Sequence, residues 1–229
     1  MLKSPHAGIL EDDCRRDIQT EARIYQHLGQ HARLVRMVEY SCEEGLILEY
    51  MSNGSLKDYL CEHNHTISMK QRLLWACQAA EGLHVLHSKG VIHCDMKPGN
   101  FLLDADLGLK IADFGGSSFN GSWSSACEGT RFWLPRDYRE PSTIRSDLFA
   151  LGSTIYEIMT GMSPYGDLSS KEVQHLFKVQ EFPDVTGITC GECIQRCWRG
   201  EVDSAQEVQE LIEAVDTSTI CKSRVCLKH

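Results

Sequence analysis

The stretch RSDLFALGSTIYEIMTG, residues 145–161, constrains the fold more than any other part of the chain. It reads as one helix, and its apolar residues fall on nearly every side. A helix that is apolar all round must be covered all round, so it belongs in the middle of a domain with other elements packed against it. The chain has material for that cover. Its 229 residues suffice for one large domain or two small lobes with a sizeable core.

The covering elements can be read off in order. CRRDIQTEARIYQHLGQH (14–31) predicts a helix, with Ile18, Ala22, Tyr25 and Leu28 on one face and Gly29 as its stop. RLVRMVEYSCEEGLILEYM (33–51) predicts two strands around a turn at Glu43-Glu44-Gly45. SNGSLKDYL predicts a turn and then a helix capped by Ser55 or Asn53. ISMKQRLLWACQAAEGLHVLHSKG (67–90) predicts a long helix with Leu73, Ala76, Cys77, Ala80, Leu83 and Leu86 on one face, ended by Gly90. FLLD and LKIADFG predict short strands, and residues 170–180 and 187–215 predict further helix, joined by EFPDVTG. Strands early and helices late imply a small mixed lobe and a larger helical one, divided near EYMSNGS.

Net charge is −9, with 32 acidic against 23 basic residues. That balance argues against a nucleic-acid or membrane-surface binder. No apolar run is long enough to span a membrane, and MLKSPHAGILEDDCRRD has no secretory core, so the expectation is a soluble cytoplasmic protein. Eleven cysteines are scattered along the chain and read as free thiols rather than a disulfide framework. CGECIQRC (Cys190, Cys193, Cys197) lacks a partner His and continues an apolar helical pattern through Ile194 and Trp198, so core thiols are expected there rather than a metal site. The terminal CLKH fits poorly with a prenylation signal.

VIHCDMKPGN (91–100) sets Asp95, Lys97 and Asn100 in one loop, and Asp113-Phe114-Gly115 follows eighteen residues after Asp95. Phosphoryl transfer from a nucleotide asks for groups of this kind: metal ions between phosphates, an aligned hydroxyl, and cationic charge on the group in transit. Asp113 and Asn100 can offer hard oxygens to Mg²⁺. Asp95 can accept a hydrogen bond from the attacking hydroxyl, and Lys97 can neutralise the γ-phosphate. Pro98 and Gly99 stiffen and turn the loop so that Asn100 swings back to the same point.

HCDMKPGN resembles the catalytic loop H-R-D-L-K-P-x-N of eukaryotic-type protein kinases, and DFG resembles that family's metal-binding triplet. LILEYMSNGSL is similar to the hinge and its following helix, GTRFWLPRD to the end of the activation region, SDLFALGSTIYEIMTGMSPY to the buried central helix, and RCWRG to the Cys-Trp of a late helix. The resemblance covers nearly the whole chain. It implies that Asp95 is the catalytic base or orienting group, that Lys97 contacts the γ-phosphate, and that Asn100 and Asp113 ligate Mg²⁺. It makes Lys3 the strand lysine that contacts the α- and β-phosphates, held by an acid for which Glu21 is the candidate and Glu11 the alternative. It puts Leu48 behind the adenine of ATP, the backbone of Glu49 and Met51 at its edge, and Leu102 beneath the ring. Asp147 would clamp the backbone of the catalytic loop. Lys97, and Thr130 bonded to Asp95 and Lys97, mark a serine/threonine kinase. His93, Phe114 and Tyr25 are core residues on this reading. His63, His65, His84 and His87 are expected in solvated or capping roles.

The sequence also departs from the family. No G-x-G-x-x-G loop precedes Lys3, so the expectation is an N-terminally truncated domain whose first sheet lacks about two strands and has an edge at MLKSPH. Cys94 stands where the family has an Arg that receives an activating phosphate, which implies no phosphate-driven ordering of residues 116–136. LPRD replaces A-P-E, with Asp137 standing in for the Glu and Arg199 as its candidate partner.

The expectation is therefore an α+β, two-lobed, protein-kinase-like fold over residues 1–217. Residues 1–50 form a partial N-terminal lobe, 51–217 a mainly helical C-terminal lobe, and 218–229 a flexible tail. The expected activity is ATP- and Mg²⁺-dependent transfer to a Ser or Thr hydroxyl of a protein substrate, without nucleic-acid or membrane partners. The alternative is a pseudokinase-like binding module. No feature of the sequence speaks to oligomeric state.

Overall fold

The computed structural model describes residues 1–4, 11–137 and 139–225. The small lobe holds β1 (Leu2–Lys3), α1 (Glu11–Leu28), β2 (Met37–Ser41) and β3 (Gly45–Leu48). The three strands form one antiparallel sheet in the order β1-β3-β2. Gly45 adopts φ 99°, and a Cβ there would lie 2.2 Å from the Lys3 carbonyl oxygen. Only glycine lets β3 come this close to β1, and that approach places Lys3 over the cleft. Helix α1 buries Ala22, Ile24, Tyr25 and Leu28, with Ile18 packed at the margin. It ends at Gly29, whose φ of 72° suits the left-handed stop.

The large lobe begins with α2 (Leu56–His63) and α3 (Met69–Ser88). Ser55 and Ser68 cap them by accepting bonds from Asp58 N and Gln71 N. Two short antiparallel ladders follow: β5 (Phe101–Leu103) and β6 (Leu109–Ile111) form a hairpin, and β4 (Val91–Ile92) pairs with β7 (Ser118–Phe119) from either side of it in the chain. The remaining helices are α4 (Ile144–Thr160), α5 (Ser170–Lys178), α6 (Gly191–Arg199) and α7 (Ala205–Val225).

Helix α4 is the centre of the large lobe, as its sequence required. Thirteen of its residues are buried, and α3 and α6 pack against it. Burial of each large apolar side chain such as Phe149, Leu151 or Ile155 contributes roughly 1.5–3 kcal/mol. Gly152 lets α6 approach closely, since a Cβ there would meet Cys197 Cβ at 2.6 Å. Trp198 Nε1 donates to Ser153 Oγ at 2.9 Å inside this contact. Cys193 and Cys197 lie buried on the same face of α6.

The lobes are tied by backbone bonds. Val35 N donates to Ile111 O at 3.0 Å, and Ile111 N to Arg33 O at 2.8 Å. Within the large lobe, Asn53 N donates to Leu103 O and Leu103 N to Gly54 O, which fixes the start of that lobe on β5. Two boundaries differ from the sequence reading. The helix expected over 187–215 is broken at 200–204, where Gly200 adopts φ 67°. The tail expected from residue 218 continues as helix α7 to Val225; residues 226–229 lie outside the described residues.

Candidate active site

Strand β4 delivers the chain into the loop 93–97, and a 3-10 turn at Pro98–Asn100 returns it. Asp147 of α4, fully buried, holds this loop by its backbone: His93 N donates to Oδ2 at 2.8 Å and Cys94 N to Oδ1 at 3.0 Å. Cys94 adopts φ 67°, a strained conformation that those two bonds stabilise. The clamp expected of Asp147 is present. It has a third donor that the sequence reading did not foresee. His87 Nε2 lies 3.0 Å from Asp147 Oδ2, with its side chain almost buried, so His87 supports the loop and is neither solvated nor a cap.

Within the loop, Lys97 Nζ donates to Asp95 Oδ2 at 2.5 Å. Asn100 Nδ2 donates to Asp95 O at 2.8 Å and to Oδ2 at 3.0 Å. Asp95 Oδ1 is buried and has no hydrogen-bond partner among the described residues. Such an oxygen is costly to leave unmade, and an incoming hydroxyl would satisfy it. Lys97 and Asn100, the two side chains bonded to Asp95, line a cavity of about 460 Å³ together with Thr130, Phe132, Lys57 and Glu157, among others. Thr130 lies on this cavity wall, but no bond from it to Asp95 or Lys97 is present among the described residues.

Lys3 faces the other side of the cleft. Its Nζ donates to Glu21 Oε1 at 3.0 Å and Oε2 at 2.8 Å, and to Asp113 Oδ1 at 2.8 Å. Glu21 is 2% exposed and also accepts from Phe114 N at 3.3 Å. The acid paired with Lys3 is therefore Glu21. Burial alone would lower the Lys3 pKa, but Glu21 and Asp113 outweigh it and hold the ammonium above its ordinary value. Burial pushes the Glu21 carboxyl up despite the Lys3 charge. Burial also opposes ionisation of Asp113, yet Lys3 more than reverses it, and the net shift is downward. Asp113 adopts φ 71°, which turns its carboxylate into the cleft, where the side chain is half exposed.

Phe114 and Tyr25 join the lobes. Tyr25 packs edge-on against Phe114 at 4.9 Å, and Phe114 against His93 at 5.7 Å. Leu48 and Met51 are buried and Leu102 is half buried beside Ser55, its partner in an isolated bridge. Glu49 N donates to Arg36 O, and Gly54 N to Met51 O. The Glu49 carbonyl and the Met51 N–H have no backbone partner among the described residues.

The segment after Asp113 differs most from expectation. Asp137 is exposed and accepts from Arg139 N at 2.9 Å, and no Asp137–Arg199 pair is present among the described residues. Instead Arg136 Nη2 reaches Glu128 Oε1 and Oε2 at 3.0 and 2.9 Å, with the Glu128 side chain fully enclosed. Ser142 Oγ closes the network, donating to Glu128 Oε1 at 3.2 Å and accepting from Arg136. The signal for this was a Glu and an Arg eight residues apart in an otherwise uncharged, partly apolar stretch, but for Arg131.

A buried carboxylate clamp, a Lys–Glu pair and two cleft-facing aspartates between two lobes define a domain built to position a phosphorylated nucleotide. The chain belongs to the protein kinase domain family, whose family model matches residues 4–225. It is 29% identical over 221 residues to mitogen-activated protein kinase kinase kinase 3 of Arabidopsis thaliana, covering 90% of this chain and 38% of that protein. It is 30% identical over 226 residues to mitogen-activated protein kinase kinase kinase 1 of the same plant, covering 90% and 35%. It is 27% identical over 227 residues to the Arabidopsis serine/threonine/tyrosine-protein kinase HT1, covering 93% and 56%. The chain thus spans little more than a third of the first two relatives and just over half of the third. No helix among the described residues is long and apolar enough to cross a membrane.

Proposed function

We propose that the chain is the phosphotransfer domain of a serine/threonine protein kinase that uses ATP and Mg²⁺. The observation that carries this reading is the state of Asp95. One carboxylate oxygen is held by Lys97 and Asn100, which themselves line a cavity of about 460 Å³, and the other is buried with no partner among the described residues. That is the arrangement a hydroxyl acceptor needs. Asp95 fixes the hydroxyl by accepting its hydrogen bond and takes the proton as the bond to phosphorus forms.

The donor set suits a hard divalent cation. Asp113 presents a half-exposed carboxylate, and both Asn100 donations use Nδ2, which leaves its amide oxygen for a metal. Mg²⁺ at these two residues would neutralise phosphate charge. Lys3, fixed by Glu21, would anchor the phosphates, and Lys97 lies beside Asp95 where charge on the transferred group develops. Leu48, Leu102, the Glu49 carbonyl and the Met51 N–H would hold the adenine. Lys97 favours Ser/Thr acceptors, and the cavity lined by Lys97, Asn100 and Thr130 supports a protein substrate.

The test is transfer of radiolabelled γ-phosphate from ATP to a degenerate peptide library, followed by phosphoamino-acid analysis. Phosphoserine and phosphothreonine are expected, with transfer abolished by Asp95→Asn. Phosphotyrosine alone would overturn the acceptor class. No transfer by a folded chain that still binds nucleotide would point to the binding-module reading.

A further inference from the structure

We propose that Glu128 and Arg136 are positioning residues for the acceptor: their buried pair, seated on the start of α4, fixes residues 129–132 as one wall of the cavity beside the catalytic loop. The inference rests on the reading of that cavity as the acceptor site and concerns how the site is built. Gly129, Thr130, Arg131 and Phe132 are consecutive, and all four line the cavity of about 460 Å³ together with Lys97 and Asn100. None of the four belongs to a helix or a strand, so no backbone ladder holds them. Within the run, Phe132 N donates to Gly129 O at 2.8 Å. The pair brackets this turn. Glu128 directly precedes it with its side chain fully enclosed, and Arg136 Nη2 donates to Glu128 Oε1 at 3.0 Å and Oε2 at 2.9 Å. Arg136 also turns back on its own segment, with Nη1 donating to Leu134 O at 3.3 Å. The pair therefore closes a short loop around the wall, and residues inside a closed loop have fewer arrangements open to them.

The closed loop is moored to the central helix. Ser142 Oγ donates to Glu128 Oε1 at 3.2 Å and accepts from Arg136 Nη2 at 2.9 Å. Ser142 directly precedes Thr143, the N-cap of α4, whose reciprocal bonds with Ser146 fix the first turn. The same helix carries Asp147, which holds the catalytic loop by the backbone of His93 and Cys94, and Glu157, which lines the cavity itself. One rigid element thus sets the wall against the loop that carries Asp95, Lys97 and Asn100. Arg131 adds a second mooring from inside the run: its Nη2 donates to Leu168 O at 2.6 Å and to Tyr165 O at 3.1 Å.

A buried ion pair contributes little net stability over well-packed apolar side chains of the same volume, because desolvating both charges offsets their attraction. What the pair supplies here is a single arrangement. Arg136 serves Glu128, Ser142 and the Leu134 carbonyl at once, and a lysine on its flexible stem has no matching set of fixed donors. Among the described residues the cavity lining includes neither Glu128 nor Arg136, so the pair acts on an acceptor only through residues 129–132. Asp95 and its partners are held separately, by Asp147. Loss of the pair should therefore weaken acceptor binding and leave the turnover of bound acceptor intact.

The test compares the wild type with the double variant Glu128→Gln, Arg136→Met, which removes both charges and leaves no lone buried ion. Val208→Ala, a core truncation in α7 outside the cavity lining, is the control for lost stability alone. The acceptor is one serine peptide taken from the degenerate library. In the double variant its KM should rise on the order of tenfold, while kcat and the affinity for a fluorescent ATP analogue stay within about twofold. Amide hydrogen exchange of residues 129–134 should quicken on the order of tenfold, and that of residues 93–100 should not change. An unchanged KM, or unchanged exchange at 129–134, overturns the proposal. So does an equal rise in KM for Val208→Ala, which would make the pair a source of stability only. Should the double variant not fold, Ser142→Ala detaches the pair from α4 without removing a charge and carries the same comparison with a smaller rise. If the wild type transfers no phosphate, the reading of the cleft fails, and the exchange comparison at 129–134 still decides whether the pair holds the wall.

Discussion

Asp95 and Asp113 are the same residue type in one cleft, and their neighbours hold them differently. Asp95 is held by donors on one oxygen and left open on the other, whereas Asp113 is paired to Lys3 and turned toward the lobe interface. Asp95→Asn should lower turnover on the order of 10²–10⁴-fold and leave the affinity for Mg²⁺–ATP nearly unchanged, because only the acceptor meets its free oxygen. Asp113→Ala should instead abolish the metal-dependent part of nucleotide binding. Equilibrium titration with and without Mg²⁺ separates the two. Tyr25 gives a stability test at the same scale. Its hydroxyl is buried without a partner among the described residues, and burial holds its pKa well above the ordinary value. Tyr25→Phe keeps the ring against Phe114 and removes the orphaned group, so it should raise unfolding free energy by about 1 kcal/mol in a urea melt. The loop residues were legible from sequence because Asp95, Lys97 and Asn100 are chain neighbours. His87 was not, because its partner Asp147 lies 60 residues away on another helix.

The elements divide in the same manner. Helix α4 was legible because its composition admits only a buried position. The face of α1 was legible from its three- and four-residue spacing, and Glu21 falls at the junction of its buried and exposed halves. For residues 116–136 the sequence, with Cys94 in place of an Arg, implied only that no phosphate orders the segment. It is held by polar contacts instead, with Ser124 Oγ donating to Gly116 O at 2.7 Å and Arg136 enclosed with Glu128. Breaking a buried pair from one side leaves a charge without compensation. Arg136→Met should therefore cost about 3–5 kcal/mol, and the double variant with Glu128→Gln should recover much of it. Denaturant melts of the two singles and the double give the coupling. Additive losses would mean that Glu128 and Arg136 act independently.

At the scale of the whole molecule, buried titrating groups set how stability depends on pH. Burial, and then the nearby Asp147, pushes the Cys94 thiol up to about 11, and burial pushes Cys190 up to about 12, against 9.0 for a free thiol. Both are raised in the folded state, so between pH 9 and 12 the unfolded chain releases these protons first and stability falls. The loss from Cys94 alone should approach about 2–3 kcal/mol by pH 11, and Cys94→Ala should flatten that part of a thermal-melt profile. At the acid end, Asp113 is depressed, so its contribution is present above the unfolded value of 3.8 and is lost as pH falls through the lower folded value. By itself, the sequence determined the two-lobed class, the central helix and the loop in which Asp95, Lys97 and Asn100 stand together. Those follow from local chemistry: apolar periodicity, glycine stops and a loop whose polar residues are chain neighbours. Only the tertiary structure decided that Glu21 pairs with Lys3, that His87 and Asp147 hold the catalytic loop, and that Glu128 closes on Arg136. Each of those contacts joins side chains brought together by packing, and hydrogen bonds and ion pairs act through distance in space, which spacing along the chain does not specify.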